Sequence, residues 1–276
     1  MTGATSGIGM ATAAELASMG ARVGLVARNA AKGEITLAEI RATSHNDRLD
    51  LFGADLSSQA SVRALSEDVR RRFSSLNVLV NCAGDSYAHR HTTVDGLELT
   101  FALNHLAYFQ LTRLLLDLLV ASAPSRIVNV TSGAQSVGRI DFEDLQGERR
   151  YRGQAAYNQS KLANVLFTYE LARRLEGTGV TVNAVHPGVA RTRFGHADPN
   201  IATRWLTRVA QPFMRTPERG ASTVIYLASS PEVEGTTGRY WANLKPKSSS
   251  KRSYDVEAAE RLWEISEALT GLPAGP

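Results

Sequence analysis

Three side chains in this sequence are of types that could together move a proton to or from an oxygen: Ser132, Tyr157 and Lys161. Tyr157 and Lys161 stand four apart in Gln154-Ala155-Ala156-Tyr157-Asn158-Gln159-Ser160-Lys161, and apolar residues continue at Leu162, Val165, Leu166 and Tyr169. Positions i and i+4 of a helix lie one above the other on the same face. A phenol beside an ammonium has its phenolate favoured, which lowers a pKa ordinarily near ~10. Such a phenol can serve as donor and acceptor near neutral pH, as reduction of a carbonyl or oxidation of an alcohol requires. The spacing alone arises by accident in many chains, with an exposed helical pair as the bland reading, so the surrounding elements decide the matter.

Thr2-Gly3-Ala4-Thr5-Ser6-Gly7-Ile8-Gly9 precedes a helical pattern through Ala11, Ala14, Leu16 and Ala17. Glycines at 3, 7 and 9 let a pyrophosphate approach the backbone, and a helix N-terminus supplies oriented N–H donors. A ligand-free tight turn is the competing reading. Arg22 to Ala27 reads as the next strand, completing an α–β unit of the expected size. At that strand's end an NAD site usually places a carboxylate for the ribose hydroxyls, whereas this chain has Arg28. A guanidinium suits the 2′-phosphate of NADP(H), so NADP is favoured over NAD; the alternative is that Arg28 only faces solvent.

The chain continues with a helix over Ala31–Ala42, a strand at Leu49–Ala54, Asp55-Leu56, and a helix over Ser58–Phe73 capped by Ser57 or Ser58. Val78-Leu79-Val80 is a short buried strand ending in Asn81-Cys82-Ala83-Gly84, where small residues let backbone pass close to a ligand. One long helical region is expected over Val94–Ala123, with Asn104 inside it although Asn is a mediocre helix former. Ile127–Val130 is the next strand, with Ser132 just past its C-terminal end, where open α/β sheets bind ligands. The Tyr157 helix runs to about Glu176. A strand at Val180–Val185 ends in His186-Pro187-Gly188, a helix spans Pro217–Leu227, a short strand Gly238–Ala242, and a terminal helix Val256–Leu269. Lys245–Ser253 is polar and reads as a mobile loop. Neither repeats nor an interdomain linker interrupt this pattern, which implies one α/β domain with a Rossmann-like, doubly wound, three-layer parallel sheet.

At 276 residues, 43% hydrophobic and 21% charged, the composition is that of a globular chain with an ample core. A net charge of +4 and runs such as Arg70-Arg71-Arg72 read as solvated surface, since no nucleic-acid motif accompanies them. A single cysteine, Cys82, excludes an internal disulfide and a cysteine-based zinc cluster, and no metal motif appears. With no signal peptide or apolar span in view, the expected location is cytoplasmic.

Thr2-Gly3-(x)3-Gly7-Ile8-Gly9, Asp55-Leu56, Asn81-x-Ala83-Gly84, Asn104, Ser132, Tyr157-(x)3-Lys161 and Pro187-Gly188-(x)3-Thr192, in this order, resemble the short-chain dehydrogenase/reductase family over essentially the whole chain. Asn104-His105-Leu106, Leu145-Gln146-Gly147-Glu148, Tyr157–Ala163 and His186-Pro187-Gly188-Val189 look most like its retinol dehydrogenase and WW-domain oxidoreductase branch. The resemblance implies that Ser132 hydrogen-bonds the substrate oxygen and Tyr157 exchanges its proton. It implies that Lys161 holds the ribose hydroxyls while lowering the Tyr157 pKa, and that Asn104 positions a water leading from Lys161 to solvent. Gly3, Gly7 and Gly9, with Thr5, Ser6 and Ile8 in their turn, would face the pyrophosphate. Asp55 and Leu56 would face the adenine, Asn81, Ala83 and Gly84 the ribose and strand-four region, and Val189 and Thr192, after Pro187 and Gly188, the nicotinamide. Family members often pair the helices near 96–123 and 154–176 between subunits, so a homo-oligomer is open.

Two departures stand out. Position 82 is Cys where the family usually has a second Asn, read here as a small buried side chain rather than a reactive thiol. Only Met1 and Thr2 precede Gly3, where a central strand of ~5–6 residues is ordinary. The expectation is that the true start lies upstream of Met1 or that the chain as written folds poorly, because neighbouring strands would keep unpaired edges.

The implied activity is NADP(H)-dependent interconversion of a carbonyl and an alcohol on an apolar small molecule. Phe194, Trp205, Phe213 and Met214 in a lid at about 189–215 suggest that apolar character, though core packing accounts for them equally well. The alternative is a non-catalytic dinucleotide-sensing module on the same fold. A nucleotide-sugar epimerase is disfavoured by the short segment after Gly188. His186 and His196 read as structural histidines.

Overall fold

The short β-branched runs pair into a mostly parallel sheet, and the longer amphipathic stretches cover both its faces. The computed structural model describes residues 1–188 and 216–275. Helix α1 (Gly7–Ser18) leads to β1 (Val23–Ala27), α2 (Ala30–Ser44), β2 (Leu49–Gly53), α3 (Gln59–Arg72) and β3 (Val78–Asn81). Next come α4 (Leu99–Phe101), a π-turn (Ala102–Leu106), α5 (Ala107–Leu114), α6 (Leu116–Ala121) and β4 (Ser125–Val130). The remainder is α7 (Gly153–Arg174), β5 (Val180–Val185), α8 (Pro217–Ser229), β6 (Arg239–Ala242), β7 (Lys245–Lys247) and α9 (Val256–Thr270). The expected lid at 189–215, with Phe194, His196, Trp205, Phe213 and Met214, lies outside the described residues.

β1 pairs with β2, and β3, β4, β5 and β6 follow one another, all parallel, with β7 antiparallel at the edge. Both faces are helix-covered, which is why β1, β4 and β5 read as nearly continuous apolar runs. Met1 and Thr2 stand between the two groups of strands. The Met1 amine donates to Gly24 O at 2.7 Å, Val26 N to Met1 O at 2.9 Å, and Thr2 N to Val80 O at 3.0 Å. These backbone bonds join β1 to β3 at the point where strand order reverses, which in open α/β sheets is where a crevice forms.

Two sequence expectations are corrected. The helical region does not run unbroken over 94–123. Glu98 caps it, accepting from Thr100 N and Phe101 N at 2.7 Å each, and the π-turn and a break at Leu115 interrupt it. Lys245–Ser253 is ordered secondary structure rather than a mobile loop: Lys245-Pro246-Lys247 forms β7, and Lys251–Tyr254 forms a 3₁₀ turn. Without β7, β6 would present an open edge; a short Lys-Pro-Lys strand covers it and is itself a poor template for further pairing.

Every residue of α7 from Gln159 to Ala172 is buried, so the helix is covered all round. The sheet covers one side and α9 the other. Trp263 of α9 packs edge-on against Phe109 at 5.0 Å between centroids and beside Phe167 at 5.9 Å, and its indole N–H donates to Glu267 at 2.9 Å. Glu267 in turn pairs with Arg113 of α5. The chain's own last helix thus lies on the two helices that the resemblance would pair between subunits.

Candidate active site

Glycine geometry shapes the loop before α1. Gly3 has φ +66°, and a Cβ there would lie 2.9 Å from the Ala83 backbone; one at Gly9 would lie 2.1 Å from Gly3 O. The loop is therefore pressed both onto the turn after β3 and onto its own helix, with no room for a side chain at either point. Thr2 clamps the same junction, its hydroxyl accepting from Cys82 N at 2.9 Å and Ala83 N at 3.1 Å. Ser6 is extended and makes no side-chain cap on α1, so the first-turn N–H groups beside Thr5, Gly7 and Ile8 remain oriented for an anion.

Around the crevice, Arg28 is exposed at the end of β1, and its positive charge favours the ionised form of the Tyr87 hydroxyl. The Asp55 carboxylate is tied to the backbone N–H and hydroxyl of Ser57, at 3.0 and 2.7 Å, while Leu56 packs into the core. Asn81 does not face the crevice. Its amide donates to Thr112 Oγ1 at 3.0 Å and to Asn129 Oδ1 at 2.9 Å, binding β3 to β4 and α5. Burial pushes the Cys82 thiol up to about 11, which fits an inert side chain.

Ser132, Tyr157 and Lys161 converge at the C-terminal end of β4. Ser132 accepts from Ala134 N at 3.2 Å, and its hydroxyl lies close enough to the Tyr157 phenol to lower the phenol's pKa. Lys161 Nζ lies 5.6 Å from the Tyr157 ring centroid and donates to Val130 O at 3.4 Å. Thr131 Oγ1 donates to Lys161 O at 2.7 Å, fixing strand to helix beneath the pair. Asn104, in the π-turn, holds the floor. Its amide donates to Asp85 O at 2.9 Å and Ser160 Oγ at 3.0 Å, and its oxygen accepts from Asp85 N at 2.9 Å. A Cβ on Gly84 would sit 2.9 Å from Asn104 Oδ1 and 3.4 Å from Lys161 Nζ, so only glycine lets the chain pass there.

The electrostatics differ from the expectation in one respect. Burial raises the Tyr157 pKa above its ordinary value, the Ser132 hydroxyl offsets this only in part, and the Asp85 carboxylate adds to the rise. Burial also lowers Lys161, to about 8. In a dry site the desolvation of both charged forms outweighs their mutual attraction at this separation. The resting phenol is a proton donor rather than a phenolate.

Several supporting residues carry no periodic signal. Gly133 N donates to His186 Nδ1 at 2.9 Å, so His186 braces the turn that carries Ser132. Tyr108 Oη donates to Ala83 O at 2.7 Å. Ser160 donates to Tyr157 O at 2.8 Å, linking Asn104 to α7. Pro187 and Gly188 close β5, Gly188 with φ +83°, whereas Val189 and Thr192 lie outside the described residues.

The donor set fits a dinucleotide: an uncapped helix N-terminus behind a glycine loop, an exposed guanidinium, and a buried ammonium that donates to the Val130 carbonyl at 3.4 Å. Among the described residues no helix is long and apolar enough to cross a membrane.

The short chain dehydrogenase family profile matches residues 1–200. Human retinol dehydrogenase 14 is 45% identical over 287 residues, covering 99% of this chain and 85% of its own, and human retinol dehydrogenase 12 is 44% identical with the same coverage. An uncharacterized protein from Mycobacterium paratuberculosis superposes with a TM-score of 0.79 at 33% identity, over 100% of this chain and 93% of that one. The Pseudomonas aeruginosa RhlG/NADP complex gives 0.68 at 29% identity, over 87% and 91%. This chain belongs to the short-chain dehydrogenase/reductase family, in its retinol dehydrogenase-like branch, and is an NAD(P)-dependent oxidoreductase.

Proposed function

We propose that the protein interconverts a carbonyl and an alcohol on an apolar small molecule using NADP(H), with Ser132, Tyr157 and Lys161 as its catalytic residues. The observation that carries this reading is the convergence of the Tyr157 phenol and the Ser132 hydroxyl beside the buried Lys161 ammonium. When bound, the nicotinamide supplies or accepts the hydride. In the reducing direction, Ser132 Oγ and Tyr157 Oη bind the substrate oxygen, and Tyr157 releases its proton as negative charge develops there. Lys161 stabilises the phenolate so formed, and Asn104 holds the path by which the proton is replaced. Arg28 supports NADP, as does the NADP in the Pseudomonas aeruginosa complex. Retinol dehydrogenase relatives support a lipophilic aldehyde or alcohol as substrate. The test is NADPH consumption with a panel of apolar aldehydes and ketones, and NADP reduction with the matching alcohols.

Two expected outcomes follow from single groups. Arg28→Ala should weaken NADPH about 10- to 100-fold, the worth of a charge-assisted hydrogen bond, and leave NADH unchanged in steady-state KM measurements. An equal effect on both cofactors would assign Arg28 elsewhere. The Lys161 ammonium exists below its pKa of about 8 and is lost above it. Since kcat/KM for NADPH reports groups of the cofactor-free enzyme, kcat/KM for NADPH should fall as pH rises through about 8. In Lys161→Met that limb should vanish from the pH profile.

A further inference from the structure

A fully buried polar chain runs from α9 to the π-turn. His105, inside that turn, has its Nδ1 3.3 Å from Asn164 Oδ1 and its Nε2 3.0 Å from Ser266 Oγ of α9. Asn164 in turn donates from Nδ2 to Asn104 O at 2.8 Å. His105, Asn104, Asn164 and Ser266 are all at 0% exposure. Burial lowers the His105 pKa to about 4, so the ring is neutral and carries one proton.

Hydrogen-bond capacity decides where that proton sits. Asn164 uses its amide nitrogen on the Asn104 carbonyl, so its Oδ1 faces Nδ1 as an acceptor and needs a donor there. With the proton on Nδ1, Nε2 becomes an acceptor and the Ser266 hydroxyl donates to it. The opposite tautomer would set two acceptors against each other in a dry interior, a costly arrangement. Ser266 has a second acceptor in reach, Leu262 O at 2.7 Å, but choosing it would leave Nε2 without a donor.

We propose that His105 is a positioning residue: through Ser266–His105–Asn164 the C-terminal helix fixes the Asn104 backbone, and with it the side chain that holds Asp85 and Ser160 beside Lys161. The ring also packs among Phe101, Phe109 and Phe167, at 5.0, 6.5 and 6.1 Å between centroids, so a role in packing alone is the competing account. The π-turn is what makes a brace necessary. A widened turn departs from the regular helical hydrogen-bond ladder and is held by its surroundings. This inference rests on the proposed catalytic reading only for its effect on rate.

Two amide variants separate the accounts. His105→Asn keeps an N–H on the Nδ1 side, toward Asn164. His105→Gln keeps a polar group toward Ser266 and loses that donor. Both lose the ring equally. Hydrogen exchange at Asp85 N–H, which donates to Asn104 Oδ1, reports the Asn104 position without any need for turnover. The brace requires exchange near the wild-type rate in the Asn variant and at least about ten-fold faster exchange in the Gln variant. It also requires kcat about 10- to 100-fold lower in the Gln variant alone, with NADPH affinity unchanged in both. Equal behaviour of the two variants overturns it. Imidazole ¹⁵N shifts of the wild-type protein give a check independent of any variant's folding: a proton on Nδ1 supports the chain, and a proton on Nε2 breaks it. Should wild type turn over no carbonyl, the catalytic reading falls while the Asp85 exchange and the tautomer still decide the brace.

Discussion

Tyr157→Phe is expected to lower turnover by about 100- to 10,000-fold, the range of a lost general acid, while NADPH binding stays within a few-fold of wild type. The ring remains, so its contact with Lys161 and its packing are kept; only the phenolic oxygen beside Ser132 is lost. One missing hydrogen bond costs about 0.5–1.5 kcal/mol, too little to unfold the domain. Steady-state kinetics alongside nicotinamide fluorescence titration separates the two effects. A variant that keeps its rate would remove Tyr157 from the chemistry. A variant that loses cofactor binding in proportion to rate would make Tyr157 a cofactor contact rather than a proton donor.

Trp263→Ala is expected to cost about 3–5 kcal/mol, as large aromatic truncations in cores do, a large share of the ~5–15 kcal/mol typical of a folded domain. Its indole fills the space between Phe109 and Phe167, lies under the guanidinium of Arg174 at 4.2 Å, and orients Glu267 toward Arg113. A fall in melting temperature of about 10 °C or more should follow, with Trp263→Phe recovering much of it. Because α9 lies on α5 and α7, loosening it should also bare their apolar faces. Light scattering of Trp263→Ala above its transition should show self-association that wild type lacks. A melting temperature unchanged by the truncation would mean that α9 is not anchored there.

The elements that position the site were legible where local chemistry alone dictates them. Strand 78–81 followed by Ala83-Gly84, strand 125–130 followed by Ser132, and Tyr157 four residues before Lys161 each carry their signal within a few neighbouring residues. What escaped depends on partners distant in sequence. The π-turn at Ala102–Leu106 is set by Asn164 and Ser266, which lie 60 and 161 residues from their partners Asn104 and His105. The polar run after Lys245 reads as a loop until β6 offers it an edge to cover. Asn81 resembles a crevice residue in its motif, yet its register opposite Asn129 turns it into the layer between β3, β4 and α5. The Tyr157 pKa departs from the sequence expectation for a similar reason: helical spacing shows the neighbouring cation but not the depth of burial, and burial prevails.

If Ser132, Tyr157 and Lys161 deliver a proton to a substrate oxygen, NADPH absorbance followed in wild type with an apolar aldehyde such as retinaldehyde reads the outcome. The expected result is saturable consumption of NADPH with stoichiometric formation of the alcohol. Tight NADPH binding with no turnover across the whole carbonyl and alcohol panel would contradict the account and make the protein a dinucleotide-binding module.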